Sequence, residues 1–349
     1  MTRSTLLTLA AAVSLTAQQP AISNANLQTA SAANGLDAAI RASIAKQTTA
    51  AWIGYVAAKI LGDRQSCCWS DDGRGCGLEG RINGPLTAPP GPVKLEGPTH
   101  ITVLLRVEQG VVMRIRNFSI DCPLDAGGLP VHWLTNVRPA DSVSVLTQFA
   151  LQEETNSDRR RKVNEQAVQA LSQHAGAEAE SALEKLALTG PSVETKKTAS
   201  FWLANSRGKK GFEVVRRVVR EDTNDKVREH AIFALTQSSE PEAIPTIVRA
   251  AKEDKSPHVR GQALFWLAQK ASRQAIGPIN ESIAADPETE VKKKAVFALT
   301  QIPNGEGLPT LIQIARNNQN PAVRKQAMFW LGQSKDPRAV KFFEDVLAK

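Results

Sequence analysis

The chain has 349 residues, 42% of them apolar but only 5% aromatic, and 43 Lys and Arg against 35 Asp and Glu. That length holds a small domain plus a repeat array, and the scarcity of rings suits helices packed through small residues better than a β-rich core. The net charge of +8 is dispersed, with acidic residues interleaved along the second half, so no compact basic patch marks a nucleic-acid partner.

Residues 1–25 read as a secretory signal peptide. Arg3 supplies the positive start, Leu6 to Leu15 an apolar run, and Ser23 and Ala25 the small residues before a cleavage point after Ala25. No other stretch approaches the roughly 20 apolar residues of a membrane span. The expected location is periplasmic or secreted.

Residues 26–140 are expected to form a small α+β domain tied by disulfides. Leu36 to Leu61 is rich in helix formers, although Thr48, Thr49 and Gly54 blur the register. A Gly/Pro-rich stretch from Asp71 to Pro98 reads as loop. His100 to Arg106 and Val111 to Ile120 are β-branched runs joined by Glu108-Gln109-Gly110, a hairpin signal. All four cysteines, Cys67, Cys68, Cys76 and Cys122, fall in this domain, an even count that reads as two disulfides in an oxidising compartment. Cys67 and Cys68 are expected each to reach one of Cys76 and Cys122, in either combination. A metal site combining these thiols with His100 or His132 is the competing reading, but the paired C-x-x-C knuckles of structural zinc are missing. No nucleophile elbow, phosphate loop, H-E-x-x-H or G-x-G-x-x-G occurs, and neither catalytic residues nor a cofactor are expected.

Residues 141–349 carry an internal repeat. Phe201, Phe233, Phe265, Phe297 and Phe329 lie 32 residues apart, and Leu203, Leu235, Leu267, Leu299 and Leu331 keep step, as do Ala199, Ala231, Ala263, Ala295 and Ala327. The register reaches back to Val163, Ala167 and Leu171. Within one unit, Val227, Ala231, Ala234 and Leu235 share a helix face, a polar turn follows, and Ile244 to Lys252 forms a second helix with Pro245 near its start. Helix, turn, helix, loop at a fixed period is an α-solenoid. A longer period of 64 is superposed: the residue after each Phe alternates as Trp202, Ala234, Trp266, Ala298, Trp330. Large against small at successive positions is how a stacked core fills without strain, so the three Trp are expected in the core. The competing reading is an aromatic ladder for a ligand.

The repeat resembles the HEAT family, in the short bacterial form of phycobilisome-lyase-like proteins. The residues that carry the resemblance are Asp222 with Val227-Arg228, Asp254 with Val259-Arg260, and Asp286 with Val291-Lys292, while Asn318 departs from the pattern before Val323-Arg324. The resemblance implies that these charges form a ladder between successive repeats. It also brings two enzyme families into view. Deoxyhypusine hydroxylase holds iron through His-Glu dipeptides, which this chain lacks, and His100, His132, His174, His230 and His258 share no repeat position. The bilin-attaching lyases share the fold.

The expectation is therefore a non-enzymatic interaction scaffold that holds a protein or peptide on the second helices of its repeats. Candidate contact residues are Arg217, Arg220, Arg249, Lys252, Glu281, Gln313 and Arg316, with the Arg-rich early repeats suited to an acidic segment. The alternative makes the cysteine-bearing domain a binding or redox module with the solenoid as its handle.

Overall fold

A computed structural model describes residues 21–60, 67, 76–80, 98–152 and 157–348. Signal-like residues 1–20, Cys68 and most of the Gly/Pro-rich stretch lie outside the described residues. Packing divides the chain inside one helix: Met1–Val145 with Gln173–Ala175 forms the first unit, and Leu146–Ser172 with Gly176–Lys349 the second.

The first unit is built on a five-stranded mixed sheet in the order β2-β8-β3-β5-β6. These strands are β2 (Asn26–Ser31), β3 (Ala51–Ala58), β5 (His100–Glu108), β6 (Val111–Ser119) and β8 (Pro130–Thr135). Helix α1 (Leu36–Ala45) links β2 to β3, both of which run parallel to β8. The helix-forming stretch read from sequence is thus a helix followed by a strand. Ala51 to Tyr55 is buried throughout because β3 lies between β8 and β5, and a strand covered on both faces shows no alternation to distinguish it from a buried helix. Gly54, which interrupts the helical reading, is required by the sheet: a Cβ there would come within 2.7 Å of the Trp133 ring and 2.9 Å of Leu104. The hairpin forms where the sequence places it, with β5 and β6 joined by Gln109 (φ 51°) and Gly110 (φ 77°), a two-residue turn with both residues left-handed.

Three two-residue strands, β1 (Ile22–Ser23), β7 (Leu124–Asp125) and β4 (Cys76–Gly77), form a second small sheet. Beside it Cys67 is disulfide-bonded to Cys122, and Cys76 is disulfide-bonded as well. The 55-residue separation of Cys67 and Cys122 closes a long loop, which removes much conformational freedom from the unfolded chain.

The second unit stacks helical hairpins. Helices α4 (Ala177–Thr189), α6 (Gly208–Glu221), α8 (Ala243–Glu253), α10 (Ile276–Ala285), α12 (Leu308–Asn317) and α14 (Pro337–Leu347) alternate with α5 (Val193–Ser206), α7 (Asp225–Leu235), α9 (Pro257–Ala271), α11 (Thr289–Thr300) and α13 (Pro321–Gln333). With α2 (Pro139–Leu151) and α3 (Ser157–Gln173), thirteen helices follow the sheet domain among the described residues. The loops supply the caps: Ser192, Asn224, Ser256, Asn320 and Asp336 each accept a backbone N–H of the helix that follows. Proline at the first turn of α9, α13 and α14 fixes φ where no intrahelical bond is lost.

Candidate functional site: a cation-lined groove in the repeat array

The Asp/Arg signature builds the joints between repeats. Lys196 reaches Asp222 at 2.7 Å, Arg228 grips Asp254 with two bonds of 2.8 Å, and Arg260 grips Asp286 at 2.7 and 3.0 Å. Each pair joins one repeat to the next, 26 residues on. The acidic residue also holds the loop, since Asp222, Asp254 and Asp286 accept the backbone N–H of Asn224, Ser256 and Glu288. Burial alone would push the Asp286 carboxyl up, but the Arg260 guanidinium and the Glu288 N–H outweigh it and hold the pKa below its ordinary value. At the fourth position Asn318 keeps the loop bond, to the N–H of Asn320 at 2.9 Å, but offers no charge, and Lys292 turns to the Ala284 carbonyl instead. These charges hold the array together.

The polar residues along the second helices behave differently from the sequence expectation of one open contact row. Arg217 pairs with Glu184 of α4 at 2.8 Å, Lys252 with Glu281 of α10, and Arg316 with Asp345 of α14 at 3.3 Å. Those three joints tie up most of the candidate contacts, while Gln313 stays exposed. A groove of about 440 Å³ between α4 and α6 is neutralised in the same way by the Glu184–Arg217 pair and by Glu180–Lys210 at 2.8 Å.

Between α6 and α8 the pattern changes. A groove of about 340 Å³ is lined by Arg216, Arg220, Arg249 and Lys255, with Glu253 as the one acidic lining residue besides Asp254. Arg216 is held at 2.5 Å by Glu213 on its own helix, and Arg220 by the adjacent Glu221. Arg249 and Lys255 have no acidic partner among the described residues. Asp254 at the groove edge is committed to Arg228. The sequence reading included Arg220 and Arg249 but not Lys255, which lies in the loop before α9. The signal that finds it is the 64-residue period. One double repeat further on, Arg216, Arg220, Arg249 and Lys255 are replaced by Asn280, Ala284, Gln313 and Gln319, whereas the framing residues Val219 and Thr246 remain as Ile283 and Thr310. Other lining positions change too, Ala250 to Ile314, Glu253 to Asn317 and Asp254 to Asn318. The cations belong to one copy.

The first helices carry the aromatic residues. Phe201 stacks on Phe233 at 6.0 Å, Phe233 meets Trp266 at 4.7 Å, Phe265 stacks on Phe297 at 6.1 Å, and Phe297 meets Trp330 at 4.9 Å. Trp202, Trp266 and Trp330 are half-buried, which corrects the expectation that they lie in the core. An indole is larger than the slot its counterparts Ala234 and Ala298 fill, and those of Trp266 and Trp330 rest against the ring of the preceding repeat. His230 sits 5.4 Å from Phe233, and burial, followed by the Lys197 charge, pushes its imidazole down to about 4, so it is neutral at physiological pH.

In the first unit, Ser142 Oγ lies 2.7 Å from His174 Nε2 and 3.0 Å from the Tyr55 hydroxyl. All three are buried, and burial holds the Tyr55 phenol protonated well above its ordinary range. The cluster satisfies polar groups within the core and presents no hydroxyl to a substrate. Cys67, Asp121 and Cys122 are the one metal-like grouping among the described residues, but both thiols are committed to the disulfide and neither His100 nor His132 joins them.

Hairpins of helices stacked in sequence, each bonded to its neighbours, define an α-solenoid. Residues 212–278 and 278–349 match the family of HEAT repeats, so the array is a HEAT-repeat solenoid. No curated protein matches by sequence. Among solved structures the chain is similar to human deoxyhypusine hydroxylase in complex with glycerol, at 16% identity and a TM-score of 0.32 over 60% of this chain and 79% of that one. It is also similar to the complex of CpcE and CpcF of phycocyanin lyase from Nostoc sp. PCC7120, at 18% identity and a TM-score of 0.34 over 45% of this chain and 97% of that one. No helix among the described residues is long and apolar enough to cross a membrane.

Proposed function

We propose that the protein is an exported, non-enzymatic interaction scaffold that seats an acidic segment of a partner protein in the groove between α6 and α8. HEAT repeats generally mediate protein interaction, and a groove with uncompensated cations favours a ligand rich in carboxylates. The observation that carries the reading is that Arg249 and Lys255 line this groove with no acidic partner among the described residues. One double repeat further on, Val219 and Thr246 recur as Ile283 and Thr310, while Arg216, Arg220, Arg249 and Lys255 have the neutral counterparts Asn280, Ala284, Gln313 and Gln319. The Asp/Arg joint beside the groove changes between the copies as well, Arg228 and Asp254 becoming Lys292 and Asn318. The test is titration of a fluorescent Glu-rich 12-residue peptide against wild type and an Arg220→Glu/Arg249→Glu variant. Charge reversal should weaken binding by at least about tenfold, and wild-type binding should fall steeply with salt. Equal binding by both proteins would discard the groove as the site.

Export is supported by the signal-like start and by the cysteines held as disulfides. Cleavage after Ala25 would remove β1, whose Ile22 and Ser23 pair with Leu124 and Asp125, and would remove Asn24, which donates to Asp125 Oδ2 at 2.9 Å. We therefore place the cleavage before Ile22. N-terminal sequencing of protein from the cell envelope should find Ile22 retained, and a mature chain starting at Asn26 would refute this placement.

A further inference from the structure

We propose that the outward face of α5, α7, α9, α11 and α13 is a second binding surface, which takes an extended acidic polypeptide segment and holds it by its main chain. Four residues after each repeat phenylalanine comes a side-chain amide: Asn205, Gln237, Gln269, Gln301 and Gln333. Asn205, Gln269 and Gln333 lie within their helices, one turn on from the ring and on its face, while Gln237 and Gln301 sit in the turn just past the ends of α7 and α11. Gln237, Gln269 and Gln333 are exposed, and Asn205 and Gln301 are half-exposed, so packing does not dictate their identity. Of the flanking positions, the one before the amide largely follows the 64-residue alternation and the one after it varies. The residue before the amide runs Ala204, Thr236, Ala268, Thr300, Gly332, and the residue after it runs Ser206, Ser238, Lys270, Ile302, Ser334. An amide kept at five exposed or half-exposed positions while the following residue changes points to a ligand that presents the same chemistry at every step.

A polypeptide main chain is such a ligand. One carboxamide donates to a backbone carbonyl and accepts from a backbone N–H at the same time. Packed helices lie about 8–10 Å apart, close to the rise of three extended residues at about 3.3 Å each, so a strand crossing the array meets one amide every third residue. Gln237 and Gln301 each donate one N–H to the hydroxyl of the preceding Thr236 and Thr300, at 2.8 and 2.9 Å, which orients the amide and leaves its carbonyl and second N–H for a ligand. Beneath them four of the five phenylalanine rings stack in pairs, Phe201 on Phe233 and Phe265 on Phe297, which gives the amides an apolar footing. Charge sets the character of the segment. Of the acidic residues of this face, Glu194 pairs with Lys197 at 3.0 Å and Glu290 with Lys293 at 3.0 Å, while Glu229 lies 3.1 Å from the His258 ring. Lys226 and Lys325 have no acidic partner among the described residues, which leaves the face positive.

The experiment selects binders to the full chain from a displayed library of random 12-residue peptides and resynthesises the best as free peptides. Acidic sequences are expected, and a Gln237→Ala/Gln269→Ala/Gln301→Ala variant should bind them at least about tenfold more weakly with an unchanged melting temperature. N-methylation of the peptide backbone at every third residue, in one of the three phases, should weaken binding to a similar degree. The isosteric Gln237→Glu/Gln269→Glu/Gln301→Glu variant should repel the same peptides, and it keeps the test decisive if the alanine variant folds poorly. Binding lost only in Arg220→Glu/Arg249→Glu would assign the peptides to the groove between α6 and α8 and overturn this surface. An empty selection, or peptides indifferent to both glutamine variants, would overturn it equally.

Discussion

Arg228→Ala should cost about 3–5 kcal/mol of stability, the largest loss expected from any single substitution in the array. The Arg228 side chain is 2% exposed and that of Asp254 is 4% exposed, so removing the guanidinium strands a carboxylate away from water. The loss is not confined to that pair. Arg228 also donates to the carbonyls of Asp222 and Thr223, at 3.0 and 3.3 Å, and these belong to the loop that caps its own helix. One side chain thus ties the loop before α7 to the loop before α9. Asp254→Asn should be milder, because Asn318 shows that an amide retains the loop bond at this position when the charge is gone. Replacing both partners by apolar residues, as in Arg228→Met/Asp254→Leu, should recover much of the loss, since no charge is then left buried. Chemical denaturation followed by circular dichroism measures all three variants. Damage should appear as a split or broadened transition, because stability in a stacked array passes through the interfaces between neighbours. An Arg228→Ala variant as stable as wild type would show that the ladder is ornamental.

The array was legible in the sequence because its constraints are local and repeated. A hydrophobic position every 32 residues specifies helix, face and neighbour together, and Asp254 or Arg260 declares its role by recurring. The sheet domain was legible only where local chemistry decides. Gln109-Gly110 fixes its turn through left-handed backbone, but Ala51 to Ala58 is a strand because β8 and β5 flank it, and both lie more than 40 residues further along the chain. The candidate groove lies between these cases. Arg220 and Arg249 stand out in the sequence as basic residues on second helices, but the isolation of Arg249 from acidic partners does not. Nothing in the chain order reveals that Arg217 turns to Glu184 while Arg249 remains uncompensated, because pairing depends on which way each long side chain leans across the gap between helices. Lys255 escaped notice because it belongs to a loop, and only comparison with Gln319 shows that its charge is particular to one copy.

Trp266→Ala should destabilise the array by about 3 kcal/mol, the lower end of the range for removing a large aromatic from a core. The indole is half-buried, so part of its surface already meets water, and full burial would overstate the loss. Its contacts are nonetheless double. It lies 4.7 Å from the Phe233 ring of the preceding repeat and 4.9 Å from Phe265 on its own helix, and aromatic pairs of this kind contribute about 0.5–1.5 kcal/mol each beyond area burial. Ala234 and Ala298 occupy the equivalent slots of the adjacent repeats and are too small to close the gap. Trp330 makes the same contacts with Phe297 and Phe329 two repeats later, so Trp330→Ala tests whether the effect follows the motif. Phe329 is 54% exposed there, which makes the terminal substitution the cheaper one. Thermal unfolding of the two variants should therefore rank Trp266→Ala below Trp330→Ala. If Trp266→Ala instead melted like wild type, the indole would contribute no packing, and its outward position would have to be explained by a ligand.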